Sequence, residues 1–102
     1  MIAAPPPPPA RVQVVAQEFR YTLSRQRVRA GRVVIELQNL GEDAHDLELL
    51  RANGAPVLRW PEAAPGAVLD REVRLRPGTY LLVCTVANHR ALGMQATLRV
   101  MR

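Results

Sequence analysis

Apolar and polar residues alternate with a period of two along most of this chain, and glycine, proline or asparagine turns interrupt the alternation about every eight to twelve residues. A period of two sends successive side chains to opposite faces of a strand, so each such segment predicts a half-buried β-strand. Arg11 to Ala16 is the first, and Val28 opens a short second one that breaks at Ala30-Gly31. Val33, Ile35 and Leu37 then alternate with Val34, Glu36 and Gln38 as far as Asn39-Leu40-Gly41, and Leu47 and Leu49 alternate with Asp46 and Glu48 in the next strand. Residues 52–66 contain Asn53-Gly54, Pro56, Pro61 and Pro65-Gly66, which reads as loop with at most a short strand or helical turn around Val57 to Trp60. Val68 to Leu75, Thr79 to Thr85 after a Pro77-Gly78 turn, and Ala96 to Met101 complete the set.

No segment keeps apolar residues at helical spacing for three turns. About seven to eight short strands with polar turns predict an all-β Greek-key β-sandwich. Its inward set is expected to be Val33, Ile35, Leu37, Leu47, Leu49, Leu69, Val73, Leu75, Tyr80, Leu82, Leu98 and Val100. Tyr80 should plug a Greek-key corner, and Trp60 should be a partly buried loop anchor. Strand parity carries a further consequence: if Tyr80 and Leu82 face the core, Cys84 does too, where its strand runs into a loop.

Length limits what such a fold can do. A chain of 102 residues buries roughly two thirds of the surface its unfolded form exposes, enough for one domain but not for two lobes around a large substrate cleft. No apolar run approaches the ~20 residues of a membrane-spanning helix. Residues 1–10 include Pro5 to Pro9 and predict an extended polyproline tether, read as the spacer from an export signal or membrane anchor, ahead of a domain over 11–102. A periplasmic or extracytoplasmic location follows from that reading, and a monomer is expected. All 14 basic residues are arginine, against 9 acidic ones, for a net charge of +5. A cationic surface favours acidic protein partners or anionic membrane surfaces. The arginines are scattered among acids without interleaved aromatics, so no nucleic-acid partner is expected. Glu42, Asp43, Asp46 and Glu48 form an acidic run that reads as a solvated strand edge ahead of a docking patch.

The single cysteine excludes an internal disulfide framework. Cys84 opens the loop Cys84-Thr85-Val86-Ala87-Asn88-His89-Arg90-Ala91-Leu92-Gly93-Met94, in which a thiol, an imidazole and a thioether supply the donors that soft copper prefers. The other histidine, His45, precedes a strand. The two histidines and the cysteine could close a trigonal site with the methionine as a weak axial ligand. Alone, Cys84 would be a small buried hydrophobe, His89 a surface residue and Met94 core filler. With His 2 and Met 3 in 102 residues, chance places that pair at those spacings from the cysteine roughly six times in ten thousand. Zinc would want more thiolates or carboxylates and has little use for a thioether, so copper is favoured.

On these residues the chain resembles a small cupredoxin of the blue, type 1 copper family. The match runs from Phe19 to Val100 and includes Ala30-Gly31 before a valine-rich strand, Asn39-Leu40-Gly41 leading to His45, Pro77-Gly78-Thr79-Tyr80 leading to Cys84, and the closing Gly93-Met94-Gln95-Ala96-Thr97-Leu98. The resemblance implies a Greek-key sandwich holding one copper ion near one end, with His45, Cys84 and His89 as equatorial ligands and Met94 axial. It departs from the family pattern at Asp46, where an asparagine is usual. Asp46 could accept a hydrogen bond from the Thr85 hydroxyl but cannot donate one, and it adds negative charge.

The function implied is that of a one-electron carrier between Cu(II) and Cu(I), with no enzymatic step. His89 in its exposed loop is the expected contact edge, ringed by Ala44, Ala91, Leu92 and Gly93, where small apolar side chains let a redox partner approach closely. Copper binding and delivery is the alternative, although it usually draws on more methionine or histidine. A module for protein contacts leaves the ligands unexplained, and a Cys84/His89 thiol hydrolase lacks a cleft and an oxyanion hole.

Overall fold

The computed structural model describes residues 3–102, so Met1 and Ile2 of the expected tether lie outside it. Nine strands form: β1 Ala10–Gln17, β2 Arg20–Leu23, β3 Arg27–Arg29, β4 Gly31–Asn39, β5 His45–Arg51, β6 Pro56–Ala63, β7 Val68–Leu75, β8 Gly78–Val83 and β9 Gln95–Met101. They make two stacked sheets, one of four strands in the order β2-β1-β4-β7 and one of five in the order β3-β9-β8-β5-β6. Two pairings are parallel, β1 with β4 and β3 with β9. The rest are antiparallel.

Seven or eight strands were expected, and the difference lies in two places. β2 carries one buried side chain, Tyr21, in four residues, too few for an alternating pattern to register. β6 was read as loop because of its prolines, yet it is a full strand on the rim of the five-stranded sheet. Proline is tolerated there because an edge strand leaves one row of N–H positions without a partner. The register also slips between His45 and Leu47, which pair with Ala63 and Trp60. Pro61 and Glu62 occupy that bulge, so Pro61 disturbs no regular ladder.

The inward faces meet as the alternation predicts, with Val33, Ile35, Leu37, Leu47, Leu49, Leu82 and Leu98 fully buried. Leu69 and Val73 fall short of that. They lie on β7, at an edge of the four-stranded sheet, and are half-buried against the core. Val12, Val14 and Ala16 of β1 add to the core. The Tyr80 hydroxyl donates to the Arg76 carbonyl at 2.8 Å, the corner plug that its place after the Pro-Gly turn implied. Trp60 is a correction: it is a strand residue, 0% exposed, and its indole Nε1 donates to the Ile35 carbonyl across the sandwich at 3.1 Å.

That hydrogen bond and the surrounding packing make Trp60 a sensitive point of the core. Trp60→Ala should cost ~3–5 kcal/mol through the cavity it opens, whereas Trp60→Phe, which leaves the Ile35 carbonyl without its partner, should cost ~1–3 kcal/mol. Equilibrium urea unfolding measures both. Equal losses for the two would mean that the ring volume is not what the core relies on.

Candidate metal centre

At one end of the sandwich β5 begins with His45 and β8 hands over to Cys84, so the antiparallel β5–β8 pair brings these two residues together. The parity argument holds: Tyr80, Leu82 and Cys84 are all buried. The loop after Cys84 folds back on itself. His89 N donates to the Val86 carbonyl at 3.0 Å, Met94 N to the His89 carbonyl at 3.1 Å, and Cys84 N to the Met94 carbonyl at 3.2 Å. These bonds place His89 and Met94 beside Cys84. Gly93 takes a φ of +117°, and a side chain there would press on the Phe19 carbonyl at 3.4 Å, so glycine suits the close of this loop.

The donor atoms of His45, Cys84 and His89 all lie within 4.8 Å of one another. Cys84 Sγ is 3.7 Å from His89 Nδ1. His45 is fully buried, and neither of its ring nitrogens has a hydrogen-bond partner. A buried imidazole without any partner carries a desolvation penalty unless something else satisfies it. Burial also pushes the Cys84 thiol up, against hydrogen bonds from the Asp46 and Val86 backbones that pull it down, so the thiol keeps its proton at neutral pH until a cation displaces it. Two imidazoles and a thiol around one point are placed to hold a single metal ion, and that donor set suits copper. Met94, 0% exposed, belongs with Cys84 to the buried core, and its backbone is hydrogen-bonded to both Cys84 and His89.

Neighbouring residues fix this arrangement. Thr85 N donates to Asp46 Oδ1 at 2.6 Å and the Thr85 hydroxyl donates to Asp46 Oδ2, the bond anticipated from the sequence. Arg59 donates to Thr85 Oγ1 at 2.7 Å and its guanidinium lies 3.8 Å from Asp46 Oδ2, offsetting the carboxylate charge. The Tyr21 hydroxyl donates to the Asp46 carbonyl. Burial, then the nearby Cys84, pushes that phenol far above its ordinary range, so Tyr21 remains a donor.

Several of these partners were not apparent from the sequence. Asn39 is buried, and its side-chain amide donates to the Asp43 and Ala63 carbonyls at 2.8 and 2.9 Å while Oδ1 accepts from Gly41 N at 2.8 Å. It thereby shapes the turn into His45. Glu18 accepts from Glu42 N and from Asp43 N, and its Oε2 lies 3.6 Å from His45 Nε2. Any side chain at Gly41 would collide with that carboxylate. Phe19 packs on His89, ring centroids 4.9 Å apart, and Asp43 Oδ2 lies 3.6 Å from His89 Nε2. The Asn39-Leu40-Gly41 turn was visible, but Glu18 and Phe19 belong to the β1–β2 connection, and the β2 hairpin itself was missed.

His89 was expected as an exposed edge and is instead 5% exposed. Phe19 and Asp43 cover much of what the loop would have shown. Of the residues expected around it, Ala91, Leu92 and Gly93 are exposed and Ala44 is half-buried. Leu40, at the same end, is a large exposed apolar side chain that the sequence reading left out.

No protein-family model matches the chain, and no curated protein matches it either. Solved structures do. An auracyanin from Roseiflexus castenholzii superposes with a TM-score of 0.78 at 14% identity, covering 91% of this chain and 98% of that one. Auracyanin A from Chloroflexus aurantiacus, described as a blue copper protein, gives 0.76 at 19% identity over 92% and 100% of the two chains. Rusticyanin from Thiobacillus ferrooxidans gives 0.68 at 17% identity over 89% and 77%. This is the cupredoxin fold. In this cupredoxin sandwich the donor trio stands at one end beneath the loop cluster, the place the resemblance implied.

The carboxylate of Glu18 offers a test of how the trio is supported. The hydrogen bond from the Asp43 backbone first, then the one from the Glu42 backbone, with the nearby His45 adding to them, outweigh desolvation and hold it below its ordinary value of 4.5. Because the folded value is the lower one, its stabilising contribution is present above pH 4.5 and is lost as pH falls through the folded value. Glu18→Gln should therefore lose less stability than the parent protein on going from pH 5 to pH 3, as read from melting temperatures without added metal. Parallel declines would remove Glu18 from the support of the site.

Proposed function

We propose that this domain is a one-electron carrier built on a single copper ion, which His45, Cys84 and His89 would hold together with the thioether of Met94. The observation that carries the reading is the convergence of three buried donors of the right kinds within 4.8 Å, one of them a histidine with no hydrogen bond at either nitrogen. A bound copper ion would supply the Cu(II)/Cu(I) couple. The protein's part is to hold the donors still. Asp46, Thr85 and Arg59 lock the Cys84 strand end to the His45 strand end, Asn39 fixes the turn before His45, and the backbone bonds at His89 and Met94 close the loop. A frame set by hydrogen bonds outside the donors limits the rearrangement between oxidation states. Burial of the trio keeps water off it and counts against an easily exchanged ion, which places copper delivery second.

Electrons would pass through the end where His89 lies. Leu40 and Leu92 are about half exposed there, and Glu18, Glu42 and Asp43 stand beside them. A partner with an apolar contact patch and a basic rim fits this face better than the acidic partner that net charge alone implied. We place the protein outside the cytoplasm and read it as a monomer, in keeping with a proline-rich lead-in and a small domain whose lone thiol is protected when it binds metal. Among the described residues no helix is long and apolar enough to cross a membrane.

Titration with Cu(II) should give one equivalent of binding and an intense blue or green absorption from thiolate-to-copper charge transfer, bleached by ascorbate and restored on reoxidation. Cys84→Ala should abolish the colour, and colourless binding by the parent protein would favour delivery. Asp46→Asn, measured by voltammetry, should raise the reduction potential, since it removes a negative charge that favours Cu(II). The rise should be smaller in a variant that also lacks Arg59, because removing that cation acts in the opposite direction. A fall in potential would contradict the electrostatic account.

A further inference from the structure

Charge is sorted along the sandwich in a way that the net value conceals. The acids Glu18, Glu42, Asp43 and Asp46 gather around the donor trio, where Arg20, Arg59 and Arg90 offset them only in part. The opposite end is arginine-rich. Gly31 pairs with Leu75 and Ala10 with Val33 at that end, whereas Ala16 pairs with Asn39 near the trio. Arg25, Arg29, Arg32 and Arg74 come from different strands or turns and line one cleft of about 440 Å³ together with Pro6, Pro7 and Pro8. Arg51, paired with Tyr80, and Arg76, whose carbonyl takes the Tyr80 hydroxyl, add to the same end.

Two features show that this cluster is not neutralised from within. Arg32 and Arg74 stand directly opposite each other across β4 and β7, a like-charged pairing that disfavours the sheet unless an anion lies between or above them. The carboxylate near them, Glu72, is 3.8 Å from Arg32 and half exposed, so it screens weakly. The segment preceding β1 runs over this same end, where Arg32 donates to the Pro7 carbonyl at 3.1 Å.

We propose that the arginine end docks on an anionic phospholipid bilayer and turns the metal end toward the aqueous phase. Guanidinium groups bind phosphate oxygens through paired N–H donors and stay charged at any biological pH. The residues lining the cleft include no aromatic and no large aliphatic anchor. A protein interface usually needs such an anchor, and single-stranded nucleic acid needs aromatic faces for stacking. A lipid surface needs only basic charge within a Debye length. The acids at the far end are repelled by the same surface, which sets the orientation. This proposal stands whether or not the trio binds copper.

The test compares two charge-matched double variants of the full chain, Arg29→Gln/Arg74→Gln at the arginine end and Arg20→Gln/Arg90→Gln at the metal end. Co-sedimentation is measured with phosphatidylglycerol-containing vesicles and with pure phosphatidylcholine vesicles at low salt. The parent protein should bind the anionic vesicles alone. Arg29→Gln/Arg74→Gln should weaken binding about thirtyfold, as expected for two basic residues near an anionic surface, and Arg20→Gln/Arg90→Gln should change it little. Unchanged circular dichroism shows that both variants fold. Equal weakening by the two variants would reduce the effect to net charge and overturn the docking face, as would equal binding to both vesicle types. Capture of polyglutamate or transfer RNA that separates the two variants when vesicles do not would assign the arginine end to a polyanionic macromolecule and overturn the bilayer.

Discussion

Asp46 accepts two hydrogen bonds from one residue, Thr85, through its backbone N–H and its hydroxyl, and the shape of the donor site depends on that clamp. His45 immediately precedes Asp46 and Cys84 immediately precedes Thr85, so joining the second residue of each pair fixes the spacing of the first. An asparagine could accept the N–H bond and keep much of this geometry. The carboxylate instead accepts at both oxygens, at the cost of a charge that must be answered. Arg59, from β6, supplies the answer. The strand whose prolines suggest loop therefore carries the counter-charge for that clamp, and the full burial of Trp60 next to Arg59 holds the strand in place.

The parts legible in the sequence were those governed by local rules. Alternation identified the faces of β4, β5, β8 and β9, and parity alone placed Cys84 inward. The spacing of donors within one loop was informative because a short loop between hydrogen-bonded strands must bring its ends together. What escaped depends on where a strand lies in its sheet or on contacts between distant segments. Pro56 and Pro61 argue against a strand unless the strand is an edge, and edge position is a property of the assembled sheet. Leu69 and Val73 alternate like core residues but lie on the rim. Glu18 reaches Asp43 and His45 across more than 20 positions, and nothing in its local sequence marks that reach.

Net charge was the least informative summary. A value of +5 describes a uniform cation, yet this molecule is acidic around its donor trio and basic at its other end. Two surfaces of opposite sign favour different partners in the same solution, and salt screens both over the same Debye length.

The three clustered donors belong to the five-stranded sheet and the loop that joins its β8 and β9. The four-stranded sheet reaches the site through the β1–β2 connection, where Glu18 and Phe19 lie against the imidazoles from outside, through Tyr21, and through Asn39 of β4, which shapes the turn into His45. Donor separations thus rest chiefly on one layer, while shelter from solvent is shared by both. Local opening of the β1–β2 connection would alter how wet the centre is while leaving the β5–β8 pairing that sets its shape in place. The shape and the hydration of the centre then rest on different segments, the first chiefly on β5, β8 and the loop after it, the second chiefly on a hairpin of the other sheet.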